Sequence, residues 1–121
     1  MTKIVVLSDS DTERFKLVKR LKDFSSLEIA QASGADELGG ACQESDDLII
    51  FMDLIEKNIE IISQYKKVIS EDSTVIYLTS NDTTDNRNWA ESLGSKAYVI
   101  KPIKEDTLYS IFRLFKEMAT E

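Results

Sequence analysis

The sequence contains no histidine, one cysteine (Cys42) and one proline (Pro102) among its 121 residues. Without histidine, every histidine-based general base and most zinc sites are excluded. A single thiol cannot form an internal disulfide, which fits a reducing cytoplasm. No basic residue adjoins Cys42 in sequence, so it reads as a helix-packing residue rather than a reactive thiol. Positive charge is in deficit, with 15 Lys and Arg against 22 Asp and Glu, a net charge of −7 and a pI near 4.7. Such a surface repels nucleic acid and anionic membranes, so neither is an expected partner. Long apolar runs are also missing, and Met1-Thr2-Lys3 leads directly into a strand pattern rather than a signal peptide.

The composition that remains is 42% hydrophobic and 31% charged, too apolar for disorder and of a length that implies one core and one domain over 1–121. Short apolar runs alternate with amphipathic stretches. Ile4 to Leu7 reads as a buried strand, followed by the capping cluster Ser8 to Thr12. Phe15, Val18 and Leu21, with Leu17 and Phe24 beside them, recur at helical spacing. Leu27 to Ala30 reads as a second strand, Ser33-Gly34 as a turn, and Asp36 to Glu44 as a short helix. Leu48 to Met52 is continuously apolar, as expected of a central parallel strand. Asn58 is positioned to cap a helix whose inner face carries Ile62, Tyr65 and Ile69. Val75 to Leu78 is a fourth strand, Asp82 to Leu93 a helix ending at Gly94, and Ala97 to Ile100 a fifth strand. Leu108, Ile111, Phe112 and Phe115 mark an amphipathic last helix. Trp89 reads as packing over Leu93 in preference to anchoring a partner. Five strands alternating with five helices predict a three-layer α/β sandwich around a parallel sheet, of flavodoxin-like (βα)5 type with strand order 2-1-3-4-5.

In such sheets the ligand site lies at the carboxyl ends of the strands. The residues there are Ser8-Asp9, Asp53, Thr79-Ser80 and Lys101-Pro102. Carboxylates suit Mg²⁺, which takes one or two of them together with waters and phosphate oxygens. A hydroxyl and an ammonium suit the oxygens of a phosphoryl group. The chemistry implied is phosphoryl transfer to a carboxylate. Taken singly, each residue has a plainer role: Asp9 as a helix cap, Thr79 as a turn residue, Lys101 as a surface lysine before an extended Lys-Pro step, Tyr98 as a half-buried aromatic. Asp53 differs, because a carboxylate directly after five apolar residues needs a metal or a cation beside it.

The ordered set resembles the receiver domain of two-component signalling, the CheY-like fold of response regulators, over essentially the whole chain. The resemblance implies that Asp53 is the phosphoacceptor, Thr79 the switch hydroxyl, Lys101 the phosphoryl-contacting lysine and Tyr98 the switch aromatic. It further implies a Mg²⁺ site made by Asp9, Asp53 and the backbone carbonyl of Ile55, with Ser8 acting through water, and dephosphorylation tuned by Ile55 and Asn81. The implied partners are a histidine kinase or phosphotransfer protein as donor, and a downstream protein at the surface of helix 4, strand 5 and helix 5. Enzymatic activity is limited to self-phosphorylation and autodephosphorylation, with an apolar Ile55 favouring a long-lived phosphoryl state.

Two departures stand out. Receivers usually end the first strand with two adjacent acids, where this chain has Ser8-Asp9, and weaker metal affinity follows. Asp11 is a nearby acid, but its position is that of a helix cap. After Asp53 the chain runs Leu54-Ile55-Glu56-Lys57-Asn58, with Lys57 where the usual proline would stand and no glycine. A phosphorylation-independent pseudo-receiver is therefore the alternative reading. The acidic pair used by winged-helix-class receivers to dimerise is replaced by Ser95-Lys96-Ala97. Flavodoxins and dinucleotide-binding domains are excluded by the absence of glycine between Ser8 and Thr12. A cysteine-based phosphatase is excluded because Cys42 does not follow the first strand.

Overall fold

A computed structural model describes residues 2–45 and 47–119, with the side chains of 115–119, Phe115 among them, outside the description. The elements in chain order are β1 (Lys3–Ser8), α1 (Asp11–Lys22), β2 (Ile29–Ala32), α2 (Ala35–Glu44), β3 (Leu48–Asp53), α3 (Ile59–Val68), β4 (Thr74–Thr79), α4 (Thr84–Ser92), β5 (Ala97–Ile100) and α5 (Glu105–Ala119). All strands are parallel, in the order β2-β1-β3-β4-β5. The flavodoxin-like topology expected from the sequence is the one observed.

Strand alternation divides the core in two. Ile4 and Val6 of β1, Ile49 and Phe51 of β3, and Ile76 and Leu78 of β4 pack against Leu17, Val18 and Leu21 of α1 and Leu108 and Ile111 of α5. The residues between them (Val5, Leu7, Ile50, Met52, Val75, Tyr77) pack against Leu38 and Cys42 of α2, Ile62 and Tyr65 of α3, and Ala90 of α4. This is the period of two that sends successive side chains to opposite faces. Trp89 and Leu93 lie in the second cluster, in keeping with a packing role.

Two expectations need correction. Phe15 does not join the inner face of α1; it is 61% exposed, whereas Leu17, Val18 and Leu21 are buried. At 3.6 residues per turn the buried stripe centres near Leu21, and Phe15 stands roughly 120° away from it around the helix. The second strand also begins two residues late. Ser25 Oγ accepts from the Leu27 amide at 3.1 Å, holding Leu27 in a turn, and β1 pairs in register from Ile4 with Ile29 to Leu7 with Ala32. The caps follow the sequence more closely. Ser10 opens α1 by accepting from Glu13 N, Asn58 opens α3 by accepting from Ile61 N, and Thr83 opens α4 by accepting from Asn86 N.

Candidate functional site

The sheet register places the strand ends side by side. Ser8 pairs with Asp53, Asp53 with Leu78, and Thr79 with Ile100. Adjacent strands lie about 4.8 Å apart, so the side chains that follow β1, β3, β4 and β5 meet along one rim.

Asp53 is 3% exposed, and its charge is met by Lys101, whose Nζ donates to Asp53 Oδ2 at 2.8 Å. Asp53 Oδ1 accepts no hydrogen bond from the described residues. Lys101 also donates to Glu13 Oε2 at 3.1 Å, so its ammonium bridges two carboxylates. Burial alone would depress the Lys101 ammonium, but the hydrogen bond and charge of Asp53, joined by Glu13, hold it above its ordinary value. A cleft of about 210 Å³ opens beside this pair, lined by Glu13, Lys16, Arg20, Asp53 and Lys101.

Thr79 is 1% exposed and fully engaged. Its hydroxyl donates to the Asn81 carbonyl at 3.0 Å and accepts from the Asn81 amide at 3.1 Å and from Lys57 Nζ at 3.1 Å. Burial pulls the Lys57 ammonium below its usual value; Asp53 opposes this, Lys101 reinforces it, and Asp9 opposes it further.

Asp9 is exposed, and its two oxygens accept from the amides of Ile55 and Glu56 at 2.8 and 2.9 Å. The loop after β3 is thus fastened to β1 through its N–H groups. Ser8 is fully buried, and its Oγ accepts from Ser10 N at 3.2 Å. Asp11 pairs with Arg14, whose guanidinium also donates to the Ser8 carbonyl at 2.7 Å. Among the described residues no group of three or more His, Cys, Asp or Glu is arranged to hold a metal. The carboxylates gathered at this rim are Asp9, Glu13 and Asp53.

Tyr98 sits next to Tyr77 in register, with the rings stacked at 5.8 Å and 9° between planes. Its hydroxyl donates to Asp82 Oδ1 at 3.0 Å. Arg87 grips the same carboxylate with two 2.7 Å bonds and lies 5.3 Å over the Tyr98 ring. Partial desolvation and the Asp82 carboxylate raise the Tyr98 phenol above its usual value. The Arg87 hydrogen bonds hold the Asp82 carboxyl below its own.

The rim therefore brings together Asp9, Asp53, Thr79 and Lys101 as the sequence implied, with Tyr98 one step out on β5. Glu13 and Lys57 were not foreseen. Glu13 follows Ser10 at the spacing of a capping box, but only its amide joins the cap, and its carboxylate crosses to Lys101. For Lys57 the sequence signal was its place four residues after Asp53, within reach of a long side chain.

No family model matches the chain. It is 27% identical over 112 residues to protein PilH of Pseudomonas aeruginosa, covering 89% of this chain and 92% of that protein. Its fold matches a two-component response regulator from Clostridium difficile with a TM-score of 0.75 at 18% identity, covering the whole of both chains. It also matches the chemotaxis protein CheY4 of Vibrio cholerae with a TM-score of 0.67 at 20% identity, over 93% of this chain and 97% of that one. The chain thus has the flavodoxin-like fold of the CheY-like response-regulator structures it matches, and it is similar in sequence to PilH over most of both chains.

Proposed function

We propose that the domain accepts a phosphoryl group on Asp53 from a phosphohistidine, carried by a histidine kinase or a phosphotransfer protein, and in response changes a protein-binding surface. The observation that carries this reading is a carboxylate 3% exposed at a strand end, held by an ammonium at 2.8 Å with a buried hydroxyl on the neighbouring strand. Burying these groups together is expensive for a fold that has no use for them. In the transfer, an Asp53 oxygen forms a bond to phosphorus as the donor's P–N bond breaks. The imidazole leaves and takes up a proton, and the product is an acyl phosphate. Oδ1 is the oxygen that Lys101 leaves open. Phe15 of α1, Ile55 of the loop after β3 and Ile59 of α3 are exposed apolar residues available to a docking donor.

Asp9 and Asp53 supply two carboxylates, the number Mg²⁺ ordinarily takes from a protein beside phosphate oxygens. Bound there, the ion would neutralise charge between donor and acceptor. Lys101 would then follow the phosphoryl group, and Thr79 would exchange its Asn81 and Lys57 contacts for a phosphoryl oxygen. Release of Thr79 frees the space beside Tyr98, and the surface of α4, β5 and α5 shifts between two populations. Ile55 has no group to orient a water, and with Asn81 it sets a slow return. A single buried thiol and the histidine kinase partnership agree with a cytoplasmic protein.

The second reading is a pseudo-receiver. It draws on Asp9, both of whose oxygens are already occupied by loop amides, and on Ser8, whose hydroxyl serves a local turn. Incubation with Mg²⁺ and acetyl phosphate, followed by intact mass, separates the two. A gain of one phosphoryl group that Asp53→Asn abolishes is the expected result; an unchanged mass favours the pseudo-receiver.

A further inference from the structure

Lys57 belongs to the loop before α3, yet its side chain turns back into the rim instead of entering solvent. Its Nζ donates to the switch hydroxyl, Thr79 Oγ1, at 3.1 Å and lies 5.8 Å from the centre of the Tyr77 ring. Lysine is strongly hydrated and loses rotamer freedom when it is fixed in this way. A neutral hydroxyl and an aromatic face are modest compensation. The remaining attraction is the negative charge of the rim, where Asp53 and Asp9 act on Lys57 while Lys101 is engaged by Asp53 and Glu13.

We infer that Lys57 is a second phosphoryl-binding cation of this site. It holds an oxygen of the Asp53 phosphoryl group from the Thr79 side, while Lys101 holds another. The inference rests on the phosphoacceptor reading and deepens it. Phosphorylation replaces one carboxylate charge with nearly two charges and three strong acceptor oxygens. An ammonium already hydrogen-bonded to Thr79 stands beside the hydroxyl assigned to one of those oxygens, so little reorganisation is needed. The two departures of the sequence also compensate in charge. Ser8 removes a negative charge from the rim and Lys57 adds a positive one, a change equal to the charge of one divalent ion. The chain itself thus supplies part of the neutralisation that Mg²⁺ supplies elsewhere, and its phosphoryl state depends less steeply on the metal.

The test uses beryllofluoride binding, read by Trp89 fluorescence, and decay of the acetyl phosphate adduct, read by intact mass. Both are followed across a range of Mg²⁺ concentrations for the wild type, Lys57→Gln, Lys57→Arg and Asp53→Asn, with thermal melts to confirm folding. Lys57→Gln should weaken beryllofluoride binding roughly tenfold at low Mg²⁺, with the gap closing as Mg²⁺ rises, and Lys57→Arg should retain most of the affinity. Lys57→Gln matching the wild type at every Mg²⁺ concentration overturns the inference and leaves Asp53 a phosphoacceptor. Tighter binding in Lys57→Gln also overturns it, because the lysine then excludes the metal. Equal losses in Lys57→Gln and Lys57→Arg overturn it in favour of packing. A wild type that takes no adduct, behaving as Asp53→Asn does, removes the phosphoacceptor reading and this inference with it.

Discussion

Asp53 and Lys101 are not symmetrical partners, although they share one hydrogen bond. Removing Lys101 leaves a carboxylate that is 3% exposed with no other ion pair among the described residues. Removing the Asp53 charge leaves Lys101 still paired with Glu13. Lys101→Met is therefore expected to lower stability by about 2–4 kcal/mol, and Asp53→Asn by clearly less. Urea denaturation of the two variants checks this, and equal losses would mean that Glu13 does not share the ammonium. Tyr77 gives a second expectation at this scale. Burial, with Tyr98 beside it, pushes its hydroxyl from 10.0 up to about 12, and the same hydroxyl donates to Asn86. The unfolded chain loses that proton first, so stability is complete below pH 10 and falls as the pH rises towards 12. Tyr77→Phe should show a shallower alkaline decline in pH-dependent melts, and an unchanged slope would contradict the assignment.

At the scale of elements, side-chain caps set where α1, α3 and α4 begin. Asn58 is the clearest case: its Oδ1 caps α3 through Ile61 N at 2.9 Å, and α3 carries the loop that holds Lys57. Asn58→Ala should cost about 1 kcal/mol and should also loosen Ile55 and Glu56 from Asp9. Amide hydrogen exchange would report this as faster exchange at those two positions. α4 is tied to β5 by Arg87, Asp82 and Tyr98. Exposed ion pairs contribute little to folding, so Arg87→Ala should leave the melting temperature nearly unchanged while making the Tyr98 ring more mobile. Ring relaxation measured by NMR tests that division between stability and switching. The late start of β2 and the outward Phe15 belong to this scale as well. The apolar pattern gave the presence and type of both elements, but pairing with β1 set where β2 begins, and the angular position of a single residue set which way Phe15 faces.

For the whole molecule, the sheet separates two apolar half-cores, one under α1 and α5 and the other under α2, α3 and α4. Leu38 is fully buried in the second and Leu108 in the first. Alanine at either position should cost about 2–5 kcal/mol. Because the two side chains lie on opposite faces and share no neighbours, the double variant should be additive within about 0.5 kcal/mol. A larger deviation in chemical denaturation would show that the half-cores are coupled through the sheet.

The sequence by itself determined the alternation of five strands and five helices, the parallel order of the sheet and the rim residues Asp9, Asp53, Thr79 and Lys101. These follow from local rules: apolar runs mark covered strands, caps mark helix starts, and right-handed crossovers leave few ways to connect them. The tertiary structure decided the partners. Glu13 and Lys101 are 88 residues apart and Lys57 and Thr79 are 22 apart, and no periodicity encodes which long side chain reaches across a rim. That choice depends on the register of neighbouring strands, the path of the loop after β3 and the balance of charge where they meet. These are properties of the assembled sheet, not of any one segment.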